Sequence, residues 1–330
     1  MKRQWKLWGG LIISGVALVL ALAGIEWDQV GLALRRADWR YLVPAAVSLL
    51  AYLLTRSIRW RILLGPKVRL AEAFAVTNIG YLVSNLLPFR LGDPARAVAI
   101  GLGGKAKISA ALSTIVVERV LDMLMVVLLL AVTMPFVGQS GWMRETGILA
   151  GVGALVVLAV LVALALWPDQ GHRFLRGLLS HLPRVDAERW MQVLGGLLDG
   201  LAALRSGRRA LGLCLWSLIA WAFCVGYYYG MIRAFLDSPT LLMATFLTCA
   251  IGLGMAVPAS PGAMGVFHAF ARYALVLPFG VDAADAVVIA FAAHTYQYII
   301  MILLGLWGLT RQNLSLGRLR ADVTTTLTEE

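Results

Sequence analysis

The chain has 330 residues, of which 60% are hydrophobic and 14% are charged, and its mean hydropathy is +0.80. These values lie outside the range of soluble globular domains, in which about 25% of residues are charged. They exclude a soluble enzyme as the bulk of the chain and indicate an integral membrane protein. The formal net charge of +11 would suit nucleic-acid binding, but in a membrane protein it more often reflects basic loops on one side of the bilayer.

Apolar stretches long enough to cross a bilayer core of about 30 Å recur along the chain. We predict about six full crossings, near residues 7–24, 41–64, 108–134, 147–167, 209–235 and 282–310. Two other stretches, 71–104 and 240–278, each hold two short apolar halves separated by Pro and Gly. A half of about 16 residues spans roughly 24 Å, which is short of a full crossing. We therefore expect two re-entrant hairpins of broken helices, whose irregular backbone is buried in protein or lines a wet cavity.

The remaining segments flank this membrane domain, which we predict as a single unit over residues 1–320. At the N-terminus, a basic start, an apolar run and "ALAG" at 21–24 favour an uncleaved first helix, with a signal peptide cleaved after about residue 23 as the alternative. Residues 168–209 are predicted to form a basic cytoplasmic linker with an amphipathic helix on the membrane surface. The end, 321–330, has the composition of a disordered segment.

The distribution of Lys and Arg predicts the orientation. If the N-terminus is inside, most basic loop residues face the cytoplasm, including Arg56, Arg59 and Arg61 at the end of the second crossing. The basic loop residues that fall outside are Arg35, Arg36, Arg40 and Arg144. This asymmetry places both termini in the cytoplasm and argues against nucleic acid as a partner.

A repeat connects the two hairpins. Sliding the sequence by 170 positions lays Pro88 on Pro258 and Gly92 on Gly262, so that "NLLPFRLGDPARA" overlies "MAVPASPGAMGVF". The same offset superimposes the flanking crossings and defines repeat units at about 41–134 and 211–304. The first unit would start outside and the second inside, so we expect an inverted repeat, as in many transporters whose discontinuous helices meet near the bilayer midplane.

Ionisable residues inside the apolar segments of the first unit are the main candidate site. They are Arg90, Asp93 and Arg96 at the first break, and Glu118, Arg119 and Asp122 in "VVERVLD". A charge at the bilayer centre costs at least about 2.5 to 3.5 kcal/mol, so these residues need partners or water. One interpretation is an ion-pair lock that only holds the helices together. The other, favoured for Arg90 and Arg96, is that their guanidinium groups bind a phosphate or carboxylate.

The second unit is polar but carries less charge. Its candidates are Ser260, Gly262, His268, His294 and Tyr298, to which Asn85 of the first break is added. Each His is either a hydrogen-bonded packing residue or a proton carrier, and two that face one cavity would favour the second role.

Motifs of covalent catalysis, of metal binding and of nucleotide binding do not occur in the sequence. The three cysteines lie in apolar stretches without CxxC spacing. We therefore predict no catalytic residue, no metal and no cofactor.

The motifs "NLLPFRLGDPARA", "VVERVLD" and "PASPGAMGVF" resemble the membrane domain of the lysylphosphatidylglycerol synthase family, also called the flippase-like domain family, over about residues 10–310. The resemblance implies a polytopic all-α protein that moves lipid, without the soluble aminoacyltransferase domain of the full-length enzymes. Two positions depart from the family's usual pattern: His268 stands where relatives have Glu, and His294 where they have Arg. The family's pattern otherwise extends to these matching positions: Asn85, Pro88, Arg90, Gly92, Asp93, Arg96, Glu118, Arg119, Asp122, Pro258, Pro261, Gly262 and Gly265.

The leading hypothesis from the sequence is a lipid translocase of a bacterial cytoplasmic membrane. Its candidate substrates are an anionic phospholipid, a polyprenyl phosphate or a hopanoid-like lipid, and it is not an enzyme. The alternative is a non-transporting membrane partner of a lipid-modifying enzyme or glycosyltransferase. A membrane-embedded lipid transferase with Asp93 or Glu118 as base is the least favoured, and the sequence carries no sign of the oligomeric state.

Overall fold

The computed structural model describes residues 2–87, 91–137, 207–255, 260–317 and 319, with isolated positions between 145 and 177. These residues form α-helices joined by short turns and contain no strand, so the all-α prediction is confirmed for this part of the chain. The predicted crossing at 147–167 and the linker at 168–209 lie almost wholly outside the described residues. The predicted disordered end and the segment 88–90, which includes Arg90, lie outside them as well.

Within each continuous described range the helices follow one another with short connections. In chain order they are α1 (Lys2–Leu22), α2 (Trp27–Arg36), α3 (Leu42–Leu64), α4 (Leu70–Leu86), α5 (Gly92–Leu102), α6 (Ile108–Thr133), α7 (Gly207–Arg233), α8 (Leu241–Gly254), α9 (Val266–Phe279) and α10 (Ala283–Arg311). Short 3₁₀ turns at Trp39–Tyr41 and Pro261–Ala263 lead into α3 and α9.

The helices make this a multi-pass membrane protein. Four helical stretches are long and apolar enough to cross a bilayer: Trp39–Leu64, Gly207–Arg233, Pro261–Phe279 and Ala283–Arg311. Helix α1 is bent by 79° against α2, and this pair provides a fifth span if it is counted as one. Helix α6 has 26 residues and spans about 39 Å, but three charged residues interrupt its apolar run. The stretch Pro261–Phe279 is longer than the short half predicted there, because the 3₁₀ turn runs on into α9.

Both predicted helix breaks are present. Helix α4 ends at Leu86, and Leu87 is extended with φ −108° and ψ 144°. This conformation is expected before a proline, and Pro88 follows. In the second half, α8 ends at Gly254 and the next described α-helix begins at Val266. Each half of the chain thus has a helix, a broken helical pair and a further helix.

The described helices pack around three buried apolar clusters. The largest joins α3 to α7, α8, α9 and α10, and the second joins α4, α5 and α6 to the end of α3. The third has four buried residues and joins α6, α7 and α8. Helices α3 and α7 lie against each other, and each broken pair leans on the far half of the chain, since α4 packs on α10 and α8 packs on α6. This packing encloses the charged residues of α3, α5 and α6.

Candidate functional site

The last turns of α3 carry two arginines that point into the helix bundle. Arg56 and Arg59 lie one helical turn apart and are 7% and 0% exposed. Arg59 donates to one oxygen of Asp122 at 2.7 Å and to Glu118 at 3.4 Å. Arg56 donates to the other oxygen of Asp122 at 2.7 Å, and to the hydroxyl of Tyr52 at 2.8 Å. The carboxylate of Asp122 is therefore shared between two buried guanidinium groups.

Helix α5 adds a third arginine, which binds the other oxygen of Glu118. Arg96 is 4% exposed and donates to Glu118 Oε2 at 2.6 Å. Its guanidinium carbon lies 4.0 Å from the ring centroid of Trp60, within the range of a cation–π contact. Its Nη1 also lies 3.7 Å from Asp93 Oδ1, one turn away in the same helix. Glu118 is thus held between Arg59 of α3 and Arg96 of α5.

The pair of Asp93 and Arg119 lies at the accessible edge of this group. Arg119 donates through Nε and Nη2 to the two oxygens of Asp93, at 2.8 and 2.7 Å. This two-pronged geometry is the strong form of a guanidinium–carboxylate contact. The side chain of Arg119 is nevertheless half exposed, whereas Arg59 is fully buried.

Together these residues form one continuous chain of alternating charge, which we call the charged cluster. Its carboxylates each contact two arginines, and an arginine stands at both ends. When all its groups are ionised, its four arginines and three carboxylates leave one positive charge in excess. In order, the chain is Arg56, Asp122, Arg59, Glu118, Arg96, Asp93 and Arg119.

The charged cluster is held in place by close contact between the arms of the first broken pair. A Cβ atom on Gly92 would overlap the carbonyl oxygen of Gly80 and the hydroxyl of Ser84, and one on Gly80 would overlap Cγ of Arg96. Only glycine therefore allows α5 to cross α4 closely enough for Arg96 to pass between them. Next to the break, the amide nitrogen of Asn85 is buried and has no hydrogen-bond partner among the described residues.

The second half of the chain places a neutral group at the corresponding break. His268 and His294 are 1% and 4% exposed, and Nε2 of His268 lies 3.4 Å from Nδ1 of His294. Since Nδ1 of His268 accepts from the backbone N–H of Gly265 at 3.2 Å, Nε2 of His268 carries the proton and donates to His294. Phe267 stacks on His294 at 4.3 Å and Phe291 on His268 at 3.8 Å. The two histidines meet as neutral rings packed between aromatic side chains.

Tyr298 connects this neutral cluster, defined by His268, His294 and Tyr298, to the first break. Its hydroxyl donates to the backbone carbonyl of Asn85 at 2.5 Å, at the end of α4. Its ring meets that of His294 edge-on at 5.6 Å. Gly262 has φ +66°, and a Cβ there would lie 2.7 Å from the Tyr298 ring. One side chain of α10 thus contacts the broken backbone of both helical pairs.

The other polar residues of the second pair bind α1. The backbone N–H of Ser260 donates to the hydroxyl of Ser14 at 2.8 Å. Arg272 donates to the carbonyl oxygens of Leu20 and Ala21 at 2.8 and 3.1 Å. These hydrogen bonds satisfy carbonyl groups in the last turn of α1 that have no partner within the helix. Ser260 therefore lies at the contact with α1 rather than beside the charged cluster.

The structure brings most of the predicted residues into the two clusters. Arg56 and Arg59 were not predicted as site residues, because the charge distribution placed them in a cytoplasmic segment. One feature of the sequence could have revealed them. Arg56 and Arg59 lie one helical turn apart within a predicted crossing, as Glu118 and Asp122 do, so two basic groups on one helix face could have been matched with two acidic groups on another. Asn85 and Gly262 lie at the breaks, and Arg90 lies outside the described residues. Within the described ranges, no group of three or more His, Cys, Asp or Glu side chains could hold a metal ion.

Comparison with known proteins gives one family and two relatives. The family described as "Lysylphosphatidylglycerol synthase TM region" matches residues 7–305. A "UPF0104 membrane protein" of Methanothermobacter thermautotrophicus is 26% identical over 304 residues, covering 84% of this chain and 88% of the relative. The "Glycosyltransferase AglD" of Haloferax volcanii is 25% identical, and the alignment covers 95% of this chain but only 55% of that protein. No solved structure matches the chain.

The family match spans both helix breaks, the charged cluster and the neutral cluster, so it covers the whole candidate site. The chain belongs to the family of lysylphosphatidylglycerol synthase transmembrane regions.

Proposed function

We propose that this chain is a lipid translocase that moves an anionic or phosphate-bearing headgroup across the cytoplasmic membrane. The observation that carries the proposal is the charged cluster, which lies among membrane helices, begins and ends with arginine, and has one positive charge more than its carboxylates compensate. An anion is the ligand that would complete it. The membership in a family named for a phospholipid synthase supports a lipid as the source of that anion.

The accessible end of the cluster is where such a ligand would bind. Arg119 is half exposed, and its fork of N–H donors matches two oxygens of a phosphate as well as it matches Asp93. Hydrogen bonds to charged groups contribute about 1.5–3 kcal/mol each, enough for a headgroup to compete with Asp93 for Arg119. Asp93 would then act as the resident anion that leaves when the headgroup arrives.

The helix packing supports the inverted-repeat arrangement that many transporters have. An offset of 170 positions relates α3, α4, α5 and α6 to α7, α8, α9 and α10. The contact of α4 with α10 then corresponds to that of α8 with α6, and α3 packs on its own counterpart α7. These reciprocal contacts are what a two-fold axis between the halves would generate, with both breaks facing the space between them.

In the proposed movement Arg119 exchanges the carboxylate oxygens of Asp93 for phosphate oxygens of the headgroup, and no covalent bond changes. The hydrocarbon chains of the lipid stay outside the polar path. The basic loop residues support an orientation with both termini in the cytoplasm. In this orientation, the charged cluster lies toward the cytoplasmic side.

A second function is favoured by the likeness to a protein named as a glycosyltransferase. The chain would then hold such an enzyme at the membrane, and the charged cluster would act only as a lock between helices. This alternative predicts a stable complex with a separate glycosyltransferase and no lipid movement by the chain alone.

The test is a translocation assay with the purified full chain in lipid vesicles. Headgroup-labelled anionic phospholipid, labelled polyprenyl phosphate and a labelled zwitterionic phospholipid are compared, and the protected pool is read with a membrane-impermeant quencher. We expect Arg119→Gln to slow movement of the anionic headgroup about tenfold or more, since tenfold equals about 1.4 kcal/mol and one charged hydrogen-bond pair contributes at least that.

The matched control is Arg61→Gln, because Arg61 lies on α3 but donates to the carbonyl of Val68 at 3.0 Å, outside the charged cluster. It should keep the wild-type rate. Equal rates for the two variants, or no movement of any lipid by intact wild-type protein, would contradict the proposal and favour the partner function.

A further inference from the structure

A second feature of the molecule, far from the charged cluster, is a large apolar cavity. It has a volume of about 570 Å³ and lies where α1 and α7 end and where α3 and α10 begin. Helix α2 covers it through Val30 and Leu34, and Met231, Val288 and Phe291 form its floor. From Leu42 at its edge to Arg56 in the charged cluster is about 21 Å along the axis of α3.

Water is a poor occupant of this cavity. The volume would hold about 19 molecules at roughly 30 Å³ each, and a buried water needs two to four polar partners. Among the described residues that line it, only Thr295 and Tyr296 carry a side-chain hydroxyl. The Tyr296 hydroxyl already donates to the carbonyl of Leu42 at 3.1 Å. The walls therefore favour an apolar occupant.

The cover of the cavity is fixed to the rest of the protein. Arg36 at the end of α2 forms an ion pair with Asp285 in the first turn of α10. The N–H of Asp38 donates to the carbonyl of Ala234 at 2.8 Å, which ties the following turn to the end of α7. These contacts hold α2 above α10 and keep the space beneath it open.

The rim of the cavity has the features of a membrane interface. Trp27 and Trp39 line it and are 64% and 49% exposed, and Trp is enriched where the hydrocarbon core meets the headgroups. Helix α2 turns its charged residues away from the cavity and lies across α1 at 79°. We expect a short amphipathic helix in this position to lie in the interface plane, which would put the cavity beneath it at the depth of lipid hydrocarbon.

The repeat offset relates this cavity to the charged cluster. Glu118 and Asp122 of α6 correspond to Val288 and Ala292 of α10, and both of these line the cavity. The same helix face thus carries carboxylates in the first half of the chain and an apolar wall in the second.

We propose that the cavity beneath α2 binds the hydrocarbon chain of a membrane lipid, either acyl or isoprenyl. Its volume lies within the ~300–1,000 Å³ of small-molecule sites, and its walls suit a chain that needs no hydrogen bonds. Charges of both signs occur in the segment 28–40 that includes α2, namely Asp28, Arg35, Arg36, Asp38 and Arg40, so we expect the site to select the hydrocarbon and not the charge of the headgroup. This binding does not depend on translocation.

The test is photo-crosslinking with lipids that carry a diazirine on the hydrocarbon chain. Wild-type protein in vesicles receives acyl-labelled anionic phospholipid, acyl-labelled zwitterionic phospholipid or labelled isoprenyl phosphate, and labelled peptides are mapped by mass spectrometry. We expect labelling concentrated in peptides 27–42 and 283–299. The acyl and isoprenyl arms identify which chain is bound.

The decisive variant is Ala292→Phe, which fills the cavity, with Leu303→Phe as control because Leu303 lies on the same helix and is 61% exposed to lipid. We expect Ala292→Phe to lower the labelling of these peptides about tenfold, equal to about 1.4 kcal/mol, and Leu303→Phe to leave it unchanged. Val30→Phe, on the opposite wall, replaces Ala292→Phe if that variant does not fold.

Arg119→Gln should keep the labelling, which separates this site from the translocation proposal. Labelling spread evenly over lipid-facing helices, including the exposed Val43 and Val47 of α3, would overturn the inference. Labelling that folded Ala292→Phe leaves unchanged would also overturn it.

Discussion

The two helix breaks occupy equivalent places in the chain and are held together in different ways. At the first, the charged cluster joins α3, α5 and α6 through ion pairs between arginines and carboxylates. At the second, the neutral cluster joins α9 and α10 through ring stacking and one His–His hydrogen bond. The charges are therefore not needed to hold a broken helix in this fold, since the second break is held without them. This contrast favours a role in ligand binding for the excess cation.

The largest effect should follow from removal of the central arginine. Arg59→Met leaves Glu118 and Asp122 buried with less compensation, and loss of one partner from a buried ion pair costs about 3–5 kcal/mol. We expect a large loss of folded protein, measured as yield and thermal unfolding temperature in detergent. Arg61→Met on the same helix is the control. If both variants unfold at the same temperature, the charged cluster does not stabilise the bundle.

A smaller loss of stability should follow from replacing Gly92 or Gly262, the glycines at the first and second break, with alanine. Comparing these two variants compares the two breaks directly. Gly92→Ala puts a methyl group against the backbone oxygen of Gly80, which cannot move without shifting α4. Gly262→Ala meets the Tyr298 ring, a side chain that can rotate, and adds the strain of φ +66°. Overpacking costs about 1–3 kcal/mol, so we expect Gly92→Ala at the upper end and Gly262→Ala below it.

Thermal unfolding of both variants checks this order, with Gly103→Ala as control because a Cβ at Gly103 makes ordinary contacts. A greater loss for Gly262→Ala would show that the second break is the more rigid one.

The smallest effect should come from the link between the clusters. Tyr298→Phe keeps the ring beside His294 and Gly262 and removes only the hydrogen bond to Asn85. We expect a loss of about 0.5–1.5 kcal/mol of stability. Chemical unfolding measures this loss of stability. A loss as large as that of Arg59→Met would mean that the neutral cluster stabilises the protein as much as the charged cluster does.

The sequence pattern predicted both helix breaks and the long helices beside them, but not the short helix α2 and not which side chains meet between helices. Pro88 and Gly92 predict a break after α4, and the spacing of Glu118 and Asp122 puts both carboxylates on one face of α6, because these features depend on local geometry. The partners Arg56 and Arg59 were missed because hydropathy cannot distinguish an arginine at a helix end that faces a loop from one that faces the bundle. That distinction depends on how α3 packs against α6.

The contact between the two histidines could not be predicted from the sequence either. Their separation of 26 positions does not encode a contact. His268 and His294 meet only because α9 and α10 pack side by side. Arg96 was predicted to face a ligand, and in the structure it lies beneath the accessible end of the charged cluster, bonded to Glu118.

The most direct measurement is the ratio of translocation rates for anionic and zwitterionic headgroups in the same vesicles. If the excess positive charge of the charged cluster binds the headgroup, wild-type protein should move the anionic lipid at least about tenfold faster, equal to about 1.4 kcal/mol of preference. Arg119→Gln should bring the ratio close to one. Equal rates for both headgroups in the wild type would contradict the account.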